Sequence, residues 1–157
     1  MAWANSSIFR QYVADSAIRT NVFDIDTDTL KAALYNNTTT PDKDATAANS
    51  AYAVGTWVVG NEVSQAVQWP VGGVALTGKA VSTPSGGVIM FDGVDTPSGS
   101  AATLAAVFGC LLYDDTLTTP VADQGVSFHY FGGTQSVTNG TLTIVWHANG
   151  LWRITVT

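Results

Sequence analysis

Apolar positions crowd the last third of the chain, from Leu104 to Thr157, in bursts separated by turn residues. Two Asn-Gly pairs, Asn139-Gly140 and Asn149-Gly150, mark corners, because a type I′ hairpin turn needs positive φ at both central residues. With Asn149 and Gly150 as those residues, Ala148 faces Leu151, His147 faces Trp152, Trp146 faces Arg153 and Val145 faces Ile154. One face of this hairpin then carries Leu142, Ile144, Trp146 and Leu151, and the other carries Val145, Trp152, Ile154 and Val156. A hairpin packed on one core alternates apolar with polar residues. This pattern instead predicts a ribbon covered on both sides.

Upstream the periodicity is mixed. Between Asn5 and Ile18, residues Ile8, Phe9, Tyr12, Val13 and Ile18 recur at near-helical spacing, with Ser6 or Ser7 available as a cap. Such a short helix must dock its apolar side on something. Val22 to Asp28 reads as an acidic linker, Leu30 to Tyr35 as a strand, and Asn36 to Asp44 as a polar turn region. Ala45 to Tyr52 predicts a short helix and Trp57 to Val59 a brief strand. Pro70 and the pair Gly72-Gly73 interrupt regular structure before a strand from Val74 to Val81. A hairpin-like connection, Ser82 to Gly87, leads to a strand at Val88 to Asp92. Leu104 to Tyr113 is apolar throughout and fits either a buried helix or a central strand; the strands flanking it decide for a strand. Val126 to Phe131 is a further strand. The chain therefore divides into residues 1–28, a helix and acidic linker belonging to the same domain or serving as an assembly arm, and residues 29–157, a mainly β domain built as a compact antiparallel β-sandwich or barrel-like sheet.

Composition sharpens this picture. The 157 residues suit one domain, and 46% of them are hydrophobic. Charged residues make up only 11%, against about 25% in an ordinary globular protein, and Glu62 is the one glutamate. An exterior of Thr, Ser, Asn, Gly and Ala suits packing against other protein surfaces. The net charge of −6 and six scattered cations argue against a nucleic-acid partner. No apolar run approaches the ~18 residues of a membrane span, and the N-terminus lacks the basic-then-apolar pattern of a secretory leader. Cys110, the single cysteine, lies in an apolar run and reads as an inert core residue.

Candidate chemistry is thin. Asp24, Asp26 and Asp28 alternate like the start of a calcium loop, but the sixth and twelfth places hold Thr29 and Tyr35 rather than Gly and Glu. His129 and His147 have no second ligand at zinc spacing. Ser127 and His129, two apart on a strand, share a face, yet Gly125-Val126-Ser127 is not a nucleophile elbow and no acid is positioned to complete a triad. Asp114 and Asp115 would diverge on a strand and so do not make a glycosidase pair. Five tryptophans read as packing residues rather than as a sugar-binding face. Neither catalysis nor a cofactor is expected.

Several blocks carry a resemblance. These are Leu30 to Asn37 with Thr40-Pro41-Asp42, Ala51-Tyr52 with Asn61-Glu62-Val63, and Trp69 to Gly78. Phe108 to Asp115, Val121 to Gly125, Phe131-Gly132-Gly133 and Val145 to Gly150 follow in order. Together they resemble a family of small virion proteins of tailed bacteriophages, chiefly of actinobacteria, from Leu30 onward and with a similar helical start. The resemblance implies a non-enzymatic head decoration protein on the outside of the virion, bound to the major capsid protein and to copies of itself, a trimer favoured. The alternatives are a minor tail or fibre component that binds host glycans and a self-assembling tail-tube subunit. The resemblance supplies no catalytic residues. The apolar N-terminal residues Trp3, Ile8, Phe9 and Tyr12 are the expected contacts with capsid or subunit, and residues 1–28 are expected to be dispensable for folding.

Overall fold

A computed structural model describes residues 3–17 and 23–156. It is mainly β, antiparallel and sandwich-like. The larger sheet has the order β1-β8-β7-β2-β3, built from Ser7–Ile8 (β1), Gly125–Gly140 (β8), Ala102–Asp114 (β7), Leu30–Tyr35 (β2) and Val74–Ala75 (β3). A second sheet runs β10-β5-β4, with Trp152–Thr155 (β10), Val88–Asp92 (β5) and Ala80–Ser82 (β4). Thr96–Pro97 (β6) and Thr143–Ile144 (β9) make a two-stranded ribbon. Two short helices, Arg10–Ala17 (α1) and Ala47–Ser50 (α2), complete the regular elements.

Strand β2 lies inside the larger sheet, between β7 and β3. Leu30, Ala32, Ala33, Leu34 and Tyr35 are all buried, so both faces of the strand are covered, and Lys31 reaches out to Asp115 at 2.8 Å. Small and aliphatic side chains let β7 and β3 close on either side. Leu111, Phe91 and Ile144, from the larger sheet, the smaller sheet and the ribbon, belong to one core. Its aromatic hub is Trp57, whose ring meets those of Trp3, Phe9, Tyr35 and Phe128 at centroid distances of 5.1–6.2 Å. The first three of these pairs meet edge-to-face, and such pairs add to the area term.

The N-terminal segment departs from its expectation. Residues 7 and 8 are not helical but pair with Phe128 and Ser127 on the edge of β8, and the helix begins only at Arg10. Bonding to an unpaired sheet edge offers Ser7 and Ile8 backbone partners that the first turn of a helix lacks. Trp3, Phe9 and Tyr12 are buried in the chain's own core, and Ile8 is half-buried. The contact stripe expected at Trp3, Ile8, Phe9 and Tyr12 is therefore spent internally. The segment belongs to the domain, and the expectation that residues 1–28 are dispensable is corrected on the same ground. Ile18 and Val22, at the helix end and linker start, lie outside the described residues.

The C-terminal hairpin register is also corrected. Gly150 N–H bonds to His147 O at 2.7 Å, so Gly150 is the fourth residue of the turn and not a central one. The flanking strands pair elsewhere: β9 with β6, and β10 with β5, where Trp152 faces Phe91 and Ile154 faces Ile89. Nor is the ribbon covered on both sides, because Ile144 and Trp146 are buried while Val145, Ile154 and Val156 are exposed. The brief strand at Trp57 to Val59 is replaced by 3-10 turns, Gly55–Trp57 and Val59–Asn61, and the strand from Val74 to Val81 is split into β3 and β4.

Candidate functional site

A groove of about 690 Å³ lies between β8 and the segment from Thr141 to Leu151. It lies beside a defect in the long hairpin. The inner half of the β7–β8 ladder, Gly109 to Tyr113 against Gly125 to Tyr130, is nearly regular, whereas the outer half shifts register three times between Ala102 and Gly109. Ala106, Gly132 and Gly133 take positive φ there, and bulges of this kind bend a strand and re-aim its side chains. The outer half of β8 is mostly exposed, and the groove lies beside it.

Beneath the groove, the Ser127 hydroxyl and His129 Nε2 lie 2.9 Å apart, as their shared strand face predicts. The His129 ring meets Trp146 edge-on, with centroids 5.2 Å apart. Trp146 is itself pinned by β6 and its neighbour, its indole N–H donating to Thr96 Oγ1 at 3.1 Å and its backbone N–H to Asp95 Oδ1 at 2.9 Å. An edge of His129 reaches the groove, yet desolvation holds its pKa down to about 4. The imidazole is therefore neutral at pH 7. Ser127 is buried, and among the described residues no carboxylate hydrogen-bonds to the Ser-His pair. Such a pair fixes a ring orientation; a triad would need the third member. His147 lies on the rim, where its Nδ1 accepts the Asn149 N–H at 3.1 Å.

Two further clusters of titratable groups serve the architecture. Glu62 accepts from the Tyr52 hydroxyl at 2.7 Å and from Gly72 N–H at 2.8 Å, and Tyr113 donates to Gly72 O at 2.8 Å. Tyr52 and Tyr113 stack 4.7 Å apart, and burial lifts the Glu62 pKa above the usual carboxylate range. Asp114 is fully buried. Its Oδ1 accepts from Thr116 and Leu117 N–H, at 3.0 and 3.2 Å. Its Oδ2 finds no hydrogen-bond partner. Burial, and after it the neighbouring Asp28 carboxyl, push the Asp114 pKa up to about 7.

Asp24 to Asp28 forms a turn closed by Asp24 N–H on the Asp28 carboxylate at 2.8 Å. Among the described residues no three of His, Cys, Asp and Glu gather where a metal ion could be held. Cys110 is buried, and desolvation raises its thiol pKa. Sequence reasoning placed His129 beside Ser127 but missed the groove, whose walls come from segments that no local pattern joins. No helix among the described residues is long and apolar enough to cross a membrane. Comparison of the chain with family models, with curated proteins and with solved structures returns no match.

Proposed function

We propose that the chain is a non-enzymatic structural protein of a bacteriophage virion, a head decoration protein that docks on the major capsid lattice as a trimer or another small ring. The observation that supports it most is one face of the sheet β10-β5-β4. Ile89 and Ile154 oppose one another, Val81 opposes Phe91, and by strand alternation all four lie on the same face as Trp152. Phe91 is buried there, but Val81, Ile89 and Ile154 are exposed, and Val156 continues the row. Contiguous exposed apolar surface marks interaction sites, and these β-branched side chains lose little rotamer freedom when covered. The N-terminal residues first expected to make the contact are replaced in this role by that face.

The test is co-sedimentation of the full chain with shells assembled from the major capsid protein encoded alongside it. Saturable binding at a fixed ratio to lattice subunits supports the reading. A chain that stays in the supernatant at every concentration, or that binds empty shells without saturating, refutes it.

A further inference from the structure

Among the described residues β8 carries an open edge. One side of the strand pairs with β7, with breaks in register, while on the other β1 covers Ser127 and Phe128 and Phe9 N–H bonds to Val126 O. Past them, Ser6 Oγ accepts the Tyr130 N–H at 2.8 Å. The groove runs along this edge: three consecutive residues on each of two stretches of β8, 129–131 and 135–137, line it. Alternate residues would line a face; consecutive ones line an edge. Ser6 marks the end at which β1 stops, and the opposite wall includes β9, whose one strand partner is β6.

We infer that this edge accepts a β-strand from the protein the chain docks on, an extended and uncharged segment of roughly five residues, the usual length of a strand. The clause on the source rests on the virion reading; the strand-accepting edge does not. Two observations select the occupant. The first is continuity, because β1 already pairs antiparallel on this same edge, and an incoming strand would continue its track beyond Tyr130. The second is charge, because among the described residues no Asp, Glu, Lys or Arg lines the groove. A charged side chain entering it would lose water and gain no counter-charge, whereas Thr, Val, Ser or Tyr fit its mixture of hydroxyl, amide and aromatic groups.

The experiment uses the full chain and two pools of labelled heptapeptides, one randomised over Thr, Val, Ser, Asn and Tyr, the other with Lys or Glu at alternate places. Capture from the first pool and not the second is expected. Captured peptides should slow amide exchange at residues 132–139, and Val145→Asp, at a groove position 72% exposed, should weaken capture about tenfold or more while Val145→Thr leaves it unchanged. Capture of neither pool, equal capture by Val145→Asp, or capture without new protection at 132–139 overturns the inference. So does concentration-dependent protection without peptide, which assigns the edge to a second copy, or saturable quenching by neutral oligosaccharides alone, which assigns the groove to sugar. Exchange on shell-bound chain separates the two proposals. Shell binding with 132–139 still exchanging removes the inference and leaves the reading, and peptide capture by a chain that ignores shells removes the reading alone.

Discussion

The indole of Trp3 lies on the α-carbon of Gly109: a methyl group built there would sit 2.6 Å from Trp3 Cζ3 and 2.3 Å from the carbonyl oxygen of His129. Strand β7 therefore has a glycine at its centre because the N-terminal chain crosses it. Trp3 also donates its indole N–H to Asn36 O at 3.1 Å. Trp3→Ala is expected to cost about 3–5 kcal/mol, the usual range for emptying an aromatic core position. Gly109→Ala should cost about 1–3 kcal/mol or more through overpacking. Urea denaturation of the double variant checks the coupling. The Gly109→Ala cost should shrink once Trp3 is gone, without vanishing, because the His129 carbonyl remains. Equal costs in both backgrounds would mean that the two residues do not press on each other.

Asp114 and His129 tilt the stability of the fold in opposite directions with pH. Asp114 titrates near 7 when folded and near 4 when unfolded. The folded state therefore holds the extra proton, and its contribution is complete below about pH 4 and is lost as pH rises toward 7. His129 titrates near 4 when folded and near 6.5 when unfolded. Its contribution is complete above about pH 6.5 and is lost as pH falls toward 4. The two windows overlap, so they largely offset one another in the native chain. Asp114→Asn keeps an acceptor for Thr116 and Leu117 and gives Asp28 a donor; its urea midpoint, taken relative to native, should rise between pH 4.5 and 7. His129→Asn should fall over the same interval by the same comparison. Parallel profiles for all three proteins would contradict both assignments.

Glu62 joins two loops that have little else in common. One oxygen holds Gly72 N–H and the other the Tyr52 hydroxyl, while Gly73, at φ +83°, passes so close to Ala32 that a Cβ would lie 2.1 Å from its carbonyl oxygen. Glu62→Ala leaves a half-buried amide and a phenol unpaired, and is expected to cost about 1–3 kcal/mol. Glu62→Gln retains one acceptor and should cost less. Thermal unfolding of the two variants ranks them, and the reverse order would show that the carboxylate strains the loop.

The strands that were legible in the sequence are those carried by a nearly unbroken apolar run. Leu30–Tyr35 and Val88–Asp92 stand where the apolar runs place them, and the run from Leu104 is a strand as its neighbours imply. Misreadings fall where a distant partner outweighs local pattern. Ser7 and Ile8 look helical until the edge of β8, about 120 residues later, is there to pair with. Asn149-Gly150 looks like a two-residue hairpin, but Trp152 has Phe91 and Ile144 has Thr96 to bond with. Ser127 and His129 are visible as a pair because strand alternation is local. The groove beside them is not, because it lies beside a ladder that shifts register and depends on the return of the chain after Gly140.

The exposed row on the smaller sheet gives the sharpest mutational test of adhesion. Ile89 and Ile154 face one another across β5 and β10 and sit at the margin of the core, 36% and 40% exposed. Substitutions at exposed sites usually change stability within about 0.5 kcal/mol, so Ile89→Asp with Ile154→Asp should fold, although two like charges directly opposite each other add a small penalty. Ile89→Thr with Ile154→Thr avoids that penalty and serves as the control for shape. If this face meets the lattice, the Asp pair should lose shell co-sedimentation altogether, because two carboxylates would be desolvated in an apolar contact, and the Thr pair should weaken it only partly. Sedimentation velocity of the free proteins reads the other possibility on the same samples. Loss of an oligomer with shell binding intact would assign the face to subunit contacts, and a pair of variants unaltered in both assays would show that this apolar row touches nothing.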